Sequence, residues 1–209
     1  MTSDDRRIRP RKQPRQVRAE LTRQRILTAA AHVFGDHGYA AGTTNRIAER
    51  AGISIGSLYQ YFPNKDAILA ELLIRHIDAG MVAFDRQKAD EPSGPLEDVL
   101  RALVRTVIEN HHDDPRLLRV MIEQAPRSLR LLDRVAEEQR TRVAYVRDLF
   151  ERHPEVRVGD METAARLVVA TVELVVHQLI AAPDPIDVTR FENELVAMLT
   201  RYLTAAPAD

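Results

Sequence analysis

Apolar residues recur at helical spacing along nearly the whole chain, and nowhere do they alternate with polar residues long enough to predict a strand. Ile26, Ala30, Val33 and Phe34 fall at steps of four, three and one. Gly35 and Gly38 predict the end of that first helix. Thr43 and Thr44 stand at the cap position of a short helix, Asn45 to Ala51, with Ile47 and Ala48 facing inward. Gly52 allows a tight turn through Ile53, and Ser54 caps a second short helix, Ile55 to Tyr61, which Pro63 stops. Asn64 caps a long helix running from Lys65 towards Arg86, with Ile68, Leu72, Ile77, Met81 and Phe84 inside. Beyond a break at Pro92-Ser93-Gly94-Pro95, a helix is expected from Leu96 to about His111 and another from Pro115. A third begins at Pro126 and reaches about His153 with one interruption, and the last two span Met161 to Ala181 and Asp187 to Leu203. The expected fold is all-α, with about nine helices.

The 209 residues carry a formal charge of 30 − 31 = −1, which hides a polarity along the chain. Residues 1–65 hold twelve Lys/Arg against five Asp/Glu, net +7, and residues 66–209 hold eighteen against twenty-six, net −8. The basic end predicts a polyanionic partner for that part of the molecule. Residues 1–18 contain six arginines and Lys12, with Pro10 and Pro14 and almost nothing to bury, and are expected to form a disordered basic arm. Such an arm either keeps the chain in solution or lies along a groove, and the second reading is preferred here. Zero cysteines exclude disulfides and thiolate metal sites. The N-terminus is charged from the start, unlike a signal peptide. The most apolar stretch, Leu167 to Ile180, contains Glu173, His177 and Gln178, so it reads as too short and too polar for a span of ~20 apolar residues. A cytoplasmic protein without a membrane segment is expected.

Two short helices joined by a tight, glycine-containing turn define a helix-turn-helix. The second helix presents Ser54, Gly56, Ser57 and Gln60 outward, small or polar residues that let a helix approach base edges. Tyr59 and Tyr61 add hydroxyls that can donate to phosphate oxygens. The competing reading is a plain helical hairpin in a bundle, but such a hairpin would not expose two tyrosines beside Gly56 and Ser57 in a basic segment. Leu58 and Phe62, four apart, belong to packing against Ile47 and Phe34.

The segment from residue 20 to 73 resembles the tetracycline-repressor (TetR) family of bacterial transcription regulators. The resemblance rests on Ile26-Leu27-x-Ala29-Ala30-x-x-x-Phe34, Gly38-Tyr39 and Thr43-Thr44-x-x-Ile47-Ala48, then on Ala51 through Lys65 read without a gap apart from position 55. It implies a three-helix DNA-binding domain over residues 19–65 and a helical effector-binding and dimerisation domain over residues 66–209. It also implies roles: Thr43 and Thr44 at a phosphate, Ser54, Ile55, Gly56 and Ser57 against bases and backbone, and Tyr59 and Tyr61 clamping phosphates. Lys65, one of three lysines, would reach a further phosphate. Gln60 stands where the family often has histidine, and glutamine can pair with adenine, so the departure bears on specificity. Arg46 would touch phosphate or base, or remain a solvated charge.

The resemblance further implies a homodimer on a two-fold symmetric, double-stranded DNA operator, repression as the mode of action, and release by a small-molecule effector. The sequence speaks to the dimer on its own. The helix 161–181 is apolar on nearly every side, and the helix 187–203 carries Phe191, Leu195, Met198, Leu199 and Tyr202. An all-round apolar helix in so small a domain is either a central core helix or a subunit interface. We expect the interface. Phe84, Met121, Tyr145, Phe150, Glu173 and His177 are candidate effector contacts, each of which is also an ordinary core residue in the bland reading. His111-His112-Asp113-Asp114 reads as a charged helix end, because consecutive helix positions diverge, and no metal site or cofactor is expected. No Gly-rich phosphate loop and no His-x-x-x-His pair points to an enzyme. The alternative to an effector is a C-terminal half that binds a protein partner, or nothing.

Overall fold

A computed structural model describes residues 14–90, 93–112, 114–126, 128–182, 184 and 186–205. Among these residues there are nine helices and no strand. They are α1 (Pro14–Ala41), α2 (Thr44–Ala51), α3 (Ile55–Tyr61), α4 (Lys65–Ala89), α5 (Leu96–His112), α6 (Pro115–Gln124), α7 (Leu129–Arg152), α8 (Met161–Ile180) and α9 (Val188–Thr204). The chain divides into two compact units inside α4, between Ile68 and Leu69.

In the first unit α1 packs on α2 and α2 on α3. Ile26, Leu27, Phe34, Ile47 and Leu58 are shut away from water, and Phe62 is buried with them. Thr43 Oγ1 accepts from Arg46 N at 3.3 Å, Ser54 Oγ from Ser57 N at 3.1 Å and Asn64 Oδ1 from Ala67 N at 2.8 Å. Each cap satisfies a donor that the first helical turn leaves unpaired. Gly52, at φ 64°, ends α2 in the left-handed region, where Gly52 N donates to Glu49 O and Ile53 N to Ala48 O.

The first helix corrects two expectations. It begins at Pro14, so Pro14 to Arg18 are helical and not part of an unstructured arm. Proline at the first turn loses no hydrogen bond, and Arg, Gln, Ala and Glu behind it favour helix. Residues 1–13 of the expected arm lie outside the described residues. Gly35 stays helical, and the break falls at Gly38 alone, with φ 72° and ψ 172°. Gly42 is required by close approach, since a Cβ there would sit 2.5 Å from Phe34 Cδ1.

In the second unit α8 packs on α5, α6, α7 and α9, and α9 lies along α5. Val104 and Ile108 of α5, Val146 and Phe150 of α7, Val168, Val172 and Val176 of α8, and Val196 and Leu199 of α9 are buried. Glu192 of α9 accepts from Arg105 Nη2 at 2.8 Å and Arg101 Nη1 at 3.3 Å, fixing α9 to α5. The seventh helix starts at Leu129 instead of Pro126 and runs unbroken to Arg152. Ser128 Oγ accepts from Leu131 N at 3.2 Å, so the start is set by a side-chain cap and not by the proline. The eighth helix runs the full 20 residues, and by length and composition it is long and apolar enough to cross a membrane, contrary to the shorter stretch read from sequence. One face of it, with Ala164, Ala165, Val168, Val169, Val172, Val176 and Ile180 buried, packs within the unit.

Candidate functional site

The outward face of α3 gathers the residues singled out in the sequence. Ser54, Ile55, Gly56, Tyr59 and Gln60 are exposed, and Ser57 and Tyr61 are partly so. Tyr59 keeps 51% of its surface, unusual for an aromatic side chain on a short helix whose Leu58 is wholly buried. Tyr59 Oη lies 3.2 Å from Thr44 Oγ1, so the start of α2 and the middle of α3 offer hydroxyls at one place. A Cβ at Gly56 would meet only Ser54 Oγ, at 4.0 Å, which leaves a bare strip of backbone on the outer face.

Two predicted contacts are partly engaged within the unit. Lys65 Nζ donates to Tyr39 O at 2.8 Å and lies 4.0 Å from the centre of the Tyr39 ring. The Tyr39 hydroxyl in turn donates to Asp66, and its pKa is pushed up to about 12, first by burial and then by that carboxylate. Arg46 Nη1 donates to Ala41 O at 3.3 Å, drawing the side chain back to the end of α1. One residue not singled out in the sequence secures the turn. Arg25 Nη2 donates to Ala51 O at 2.5 Å, placing a cation at the C-terminal end of α2, where the helix dipole favours it.

Gly52-x-Ser54-x-Gly56 also spells the spacing of a hydrolase nucleophile elbow. That elbow joins a strand to a helix, whereas this turn joins α2 to α3. Ser54 Oγ is a helix cap lying 2.9 Å from Ser57 Oγ, so the match is one of letters.

The second unit holds two adjoining cavities, of about 50 Å³ and about 150 Å³, which share Gly80, Asn110, His111, Arg142 and Glu173. Of the predicted effector contacts, Phe84 and Glu173 line the first, and Met121, Glu173 and His177 line the second. Tyr145 stands behind, edge-on to Phe84 with ring centres 5.2 Å apart. Phe150 is a buried core residue on neither lining. Arg142, also not anticipated, is the polar centre. Its Nη2 meets Glu138 at 2.5 Å and its Nη1 meets Glu173 at 2.6 Å, joining α7 to α8. Burial pushes both carboxyls up, and Arg142 opposes that shift. Arg142 Nε and both amide atoms of Gln87 are buried with no hydrogen-bond partner among the described residues. Buried polar atoms without partners are rare in proteins.

His76, His111 and His177 crowd the second cavity. Burial holds all three imidazoles neutral at ordinary pH, lowering His76 to about 4 and His177 to about 3, with neighbouring His111 the next cause for both. The available signal was the α5 stripe Val104, Ile108, His111, whose steps of four and three put His111 on the buried face.

Comparison with known proteins decides the family. Residues 95–203 match the family described as tetracyclin repressor-like, C-terminal domain, and residues 26–72 match bacterial regulatory proteins, tetR family. The chain belongs to the TetR family. Members of this family are transcriptional regulators that bind DNA through the helix-turn-helix. The HTH-type transcriptional repressor KstR2 of Mycobacterium tuberculosis is 36% identical over 92 residues, 43% of this chain and 46% of the repressor. The chain therefore spans less than half the length of that relative. A TetR-family regulator from Mesorhizobium loti matches in fold with a TM-score of 0.70, at 19% identity, over 91% of this chain and 98% of its own. The regulator FadR of Bacillus subtilis, solved in complex with stearoyl-CoA, matches with a TM-score of 0.65 at 21% identity, over 85% of this chain and 97% of its own.

Proposed function

We propose that this TetR-family chain acts as a homodimeric repressor in the cytoplasm, holds a palindromic DNA operator and releases it on binding a small molecule. The observation that carries the reading is the exposed face of α3: bare backbone at Gly56, Gln60 beside it, and Tyr59 and Thr44 hydroxyls at its edge. Gln60 reads a base edge, while Thr43, Thr44, Tyr59 and Tyr61 hold phosphates. Lys65 steadies Tyr39 at the head of α4 and offers its remaining donors to a phosphate. Residues 66–209 take the sensing and dimerising roles.

Support for the dimer comes from α8 and α9, where Leu167, Leu174, Met198 and Tyr202 leave 50%, 58%, 48% and 41% of their surfaces uncovered. A self-complementary four-helix contact would cover them. Support for an effector comes from the first cavity, whose apolar wall of Phe84, Val146, Val168 and Val172 ends at the unpartnered atoms of Gln87 and Arg142. That chemistry suits a mainly apolar molecule with one polar group. The cavity is narrow, so any occupant of several heavy atoms must widen it against Gly80, Phe84 and Gln87, all on α4. The same helix begins at Lys65, so α4 carries residues of both units.

The second reading, a protein partner or no effector in the C-terminal half, is favoured by the same small volumes, since ligand pockets usually run from ~300 Å³ upward. Selection of bound duplexes from a random pool tests the main reading. A two-fold symmetric site should be enriched, and Leu174→Asp should sediment as a monomer and lose that symmetry. Absence of any enriched site refutes the operator, and an undisturbed dimer in Leu174→Asp refutes the interface.

A further inference from the structure

Three helices of the second unit each contribute one imidazole to a single point: His76 from α4, His111 from α5 and His177 from α8. A ring nitrogen of each lies within 4.8 Å of those of the other two. His111 and His177 are closest, with their Nε2 atoms 2.5 Å apart. His111 Nδ1–H donates to Val107 O at 2.5 Å, which leaves Nε2 as the bare nitrogen and fixes the ring from behind. Metal-binding histidines are oriented by this kind of second bond. The rings are steeply inclined to one another, at 73° for His76 and His111 and 69° for His111 and His177.

We propose that His76, His111 and His177 form a tris-histidine site for a divalent transition-metal ion of the zinc type. Three neutral imidazoles suit such an ion, and a fourth, open position would face the cavity of about 150 Å³ that they line. At a Zn–N distance of ~2.0–2.1 Å, tetrahedral ligand nitrogens stand ~3.3 Å apart, so His111 and His177 part by a little under ~1 Å. The adverse charge is Arg142, which lines the same cavity. Glu138 and Glu173 hold it at 2.5 and 2.6 Å, and with both ionised the three side chains sum to +1 − 2 = −1. The entering dication therefore meets an offset charge. A metal here ties α4 to α5 and α8, and its open position takes water or a donor atom of a small molecule.

The site does not rest on the regulator reading, and its test is separate from DNA binding. Chelator-stripped protein is titrated with Co²⁺, whose visible bands report four-coordinate geometry, and then with Zn²⁺ in competition. One ion per chain is expected. His76→Gln and His177→Gln should each weaken binding at least ~10-fold, with His37→Gln, an exposed position on α1, unchanged. Should the cavity variants fail to fold by circular dichroism, X-ray absorption of zinc-loaded wild-type protein counts the imidazoles directly, and three are expected. The proposal is overturned by the lack of a saturable cobalt band, by affinity unmoved in both variants, or by fewer than three imidazole nitrogens.

Discussion

Glycine to alanine at two positions of the reading head should separate fold from function. At Gly42 a new Cβ lands 2.5 Å from Phe34 Cδ1 and 2.9 Å from Gly38 O. Phe34 is fully buried and cannot swing away. Overpacking of this kind costs about 1–3 kcal/mol, so Gly42→Ala should lower the melting temperature clearly. At Gly56 the new Cβ meets nothing nearer than Ser54 Oγ at 4.0 Å, and alanine in place of a helical glycine stabilises by up to ~0.5–1 kcal/mol. Gly56→Ala should therefore melt at or slightly above the wild type. On DNA the order reverses. A methyl group on the outer face holds α3 off the groove and loosens both the Gln60 base contact and the Tyr59 phosphate contact. Loss of one good base contact is worth ~1–3 kcal/mol, which is roughly 5- to 140-fold in affinity. Thermal melting by circular dichroism and fluorescence anisotropy on a labelled duplex give the two readouts. If Gly56→Ala binds within about twofold of the wild type, the face does not meet DNA closely and the reasoning fails.

Two further outcomes probe the second unit. Gly80→Ala, at the junction of the two cavities where the Cβ comes within 3.1 Å of Arg142 Nη2 and Asn110 Nδ2, should leave duplex binding intact and weaken release by an effector. Undiminished release would place the effector elsewhere. Glu192→Gln should cost about 1–2 kcal/mol at pH 7 by weakening the pairs with Arg105 and Arg101. Because Arg105 first, and then Arg101, hold the Glu192 carboxyl below its ordinary 4.5, that stability is complete above 4.5 and is lost as pH falls through the lowered value. The gap between wild type and variant in urea melts should stay constant from pH 7 to 5 and close in stronger acid, and a gap that closes above pH 5 would contradict the pairing.

What the sequence disclosed follows from how far apart the interacting groups stand along it. Thr43, Ser54 and Asn64 each cap a helix by bonding an amide three residues on, so those starts were legible from local chemistry. The exposed face of α3 was legible for the same reason, since seven residues and one buried Leu58 set its orientation. The start of α7 was misplaced because Pro126 and Ser128 compete as signals, and the hydroxyl that accepts from Leu131 N prevailed. Contacts across the chain stayed hidden. Arg25 reaches Ala51 over 26 positions, and His111 reaches His177 over 66. His111 also sits beside His112, Asp113 and Asp114, which made it look like part of a charged helix end until α4 and α8 were brought against it.

The most direct measurement is duplex binding across a range of salt concentrations by the wild type and by Tyr59→Ala, whose side chain keeps 51% of its surface exposed. Each phosphate contact made by a cationic side chain adds close to one to the slope of log K against log salt, whereas a neutral donor changes affinity without changing the slope. If the Thr44 and Tyr59 hydroxyls seat a phosphate, the variant binds more weakly by a similar factor at every salt concentration, with its slope nearly unchanged, because a neutral hydroxyl releases no counterion. An affinity unchanged at every salt concentration would mean that α3 does not lie on DNA, and the account of this protein as a DNA-reading regulator through that face would be wrong.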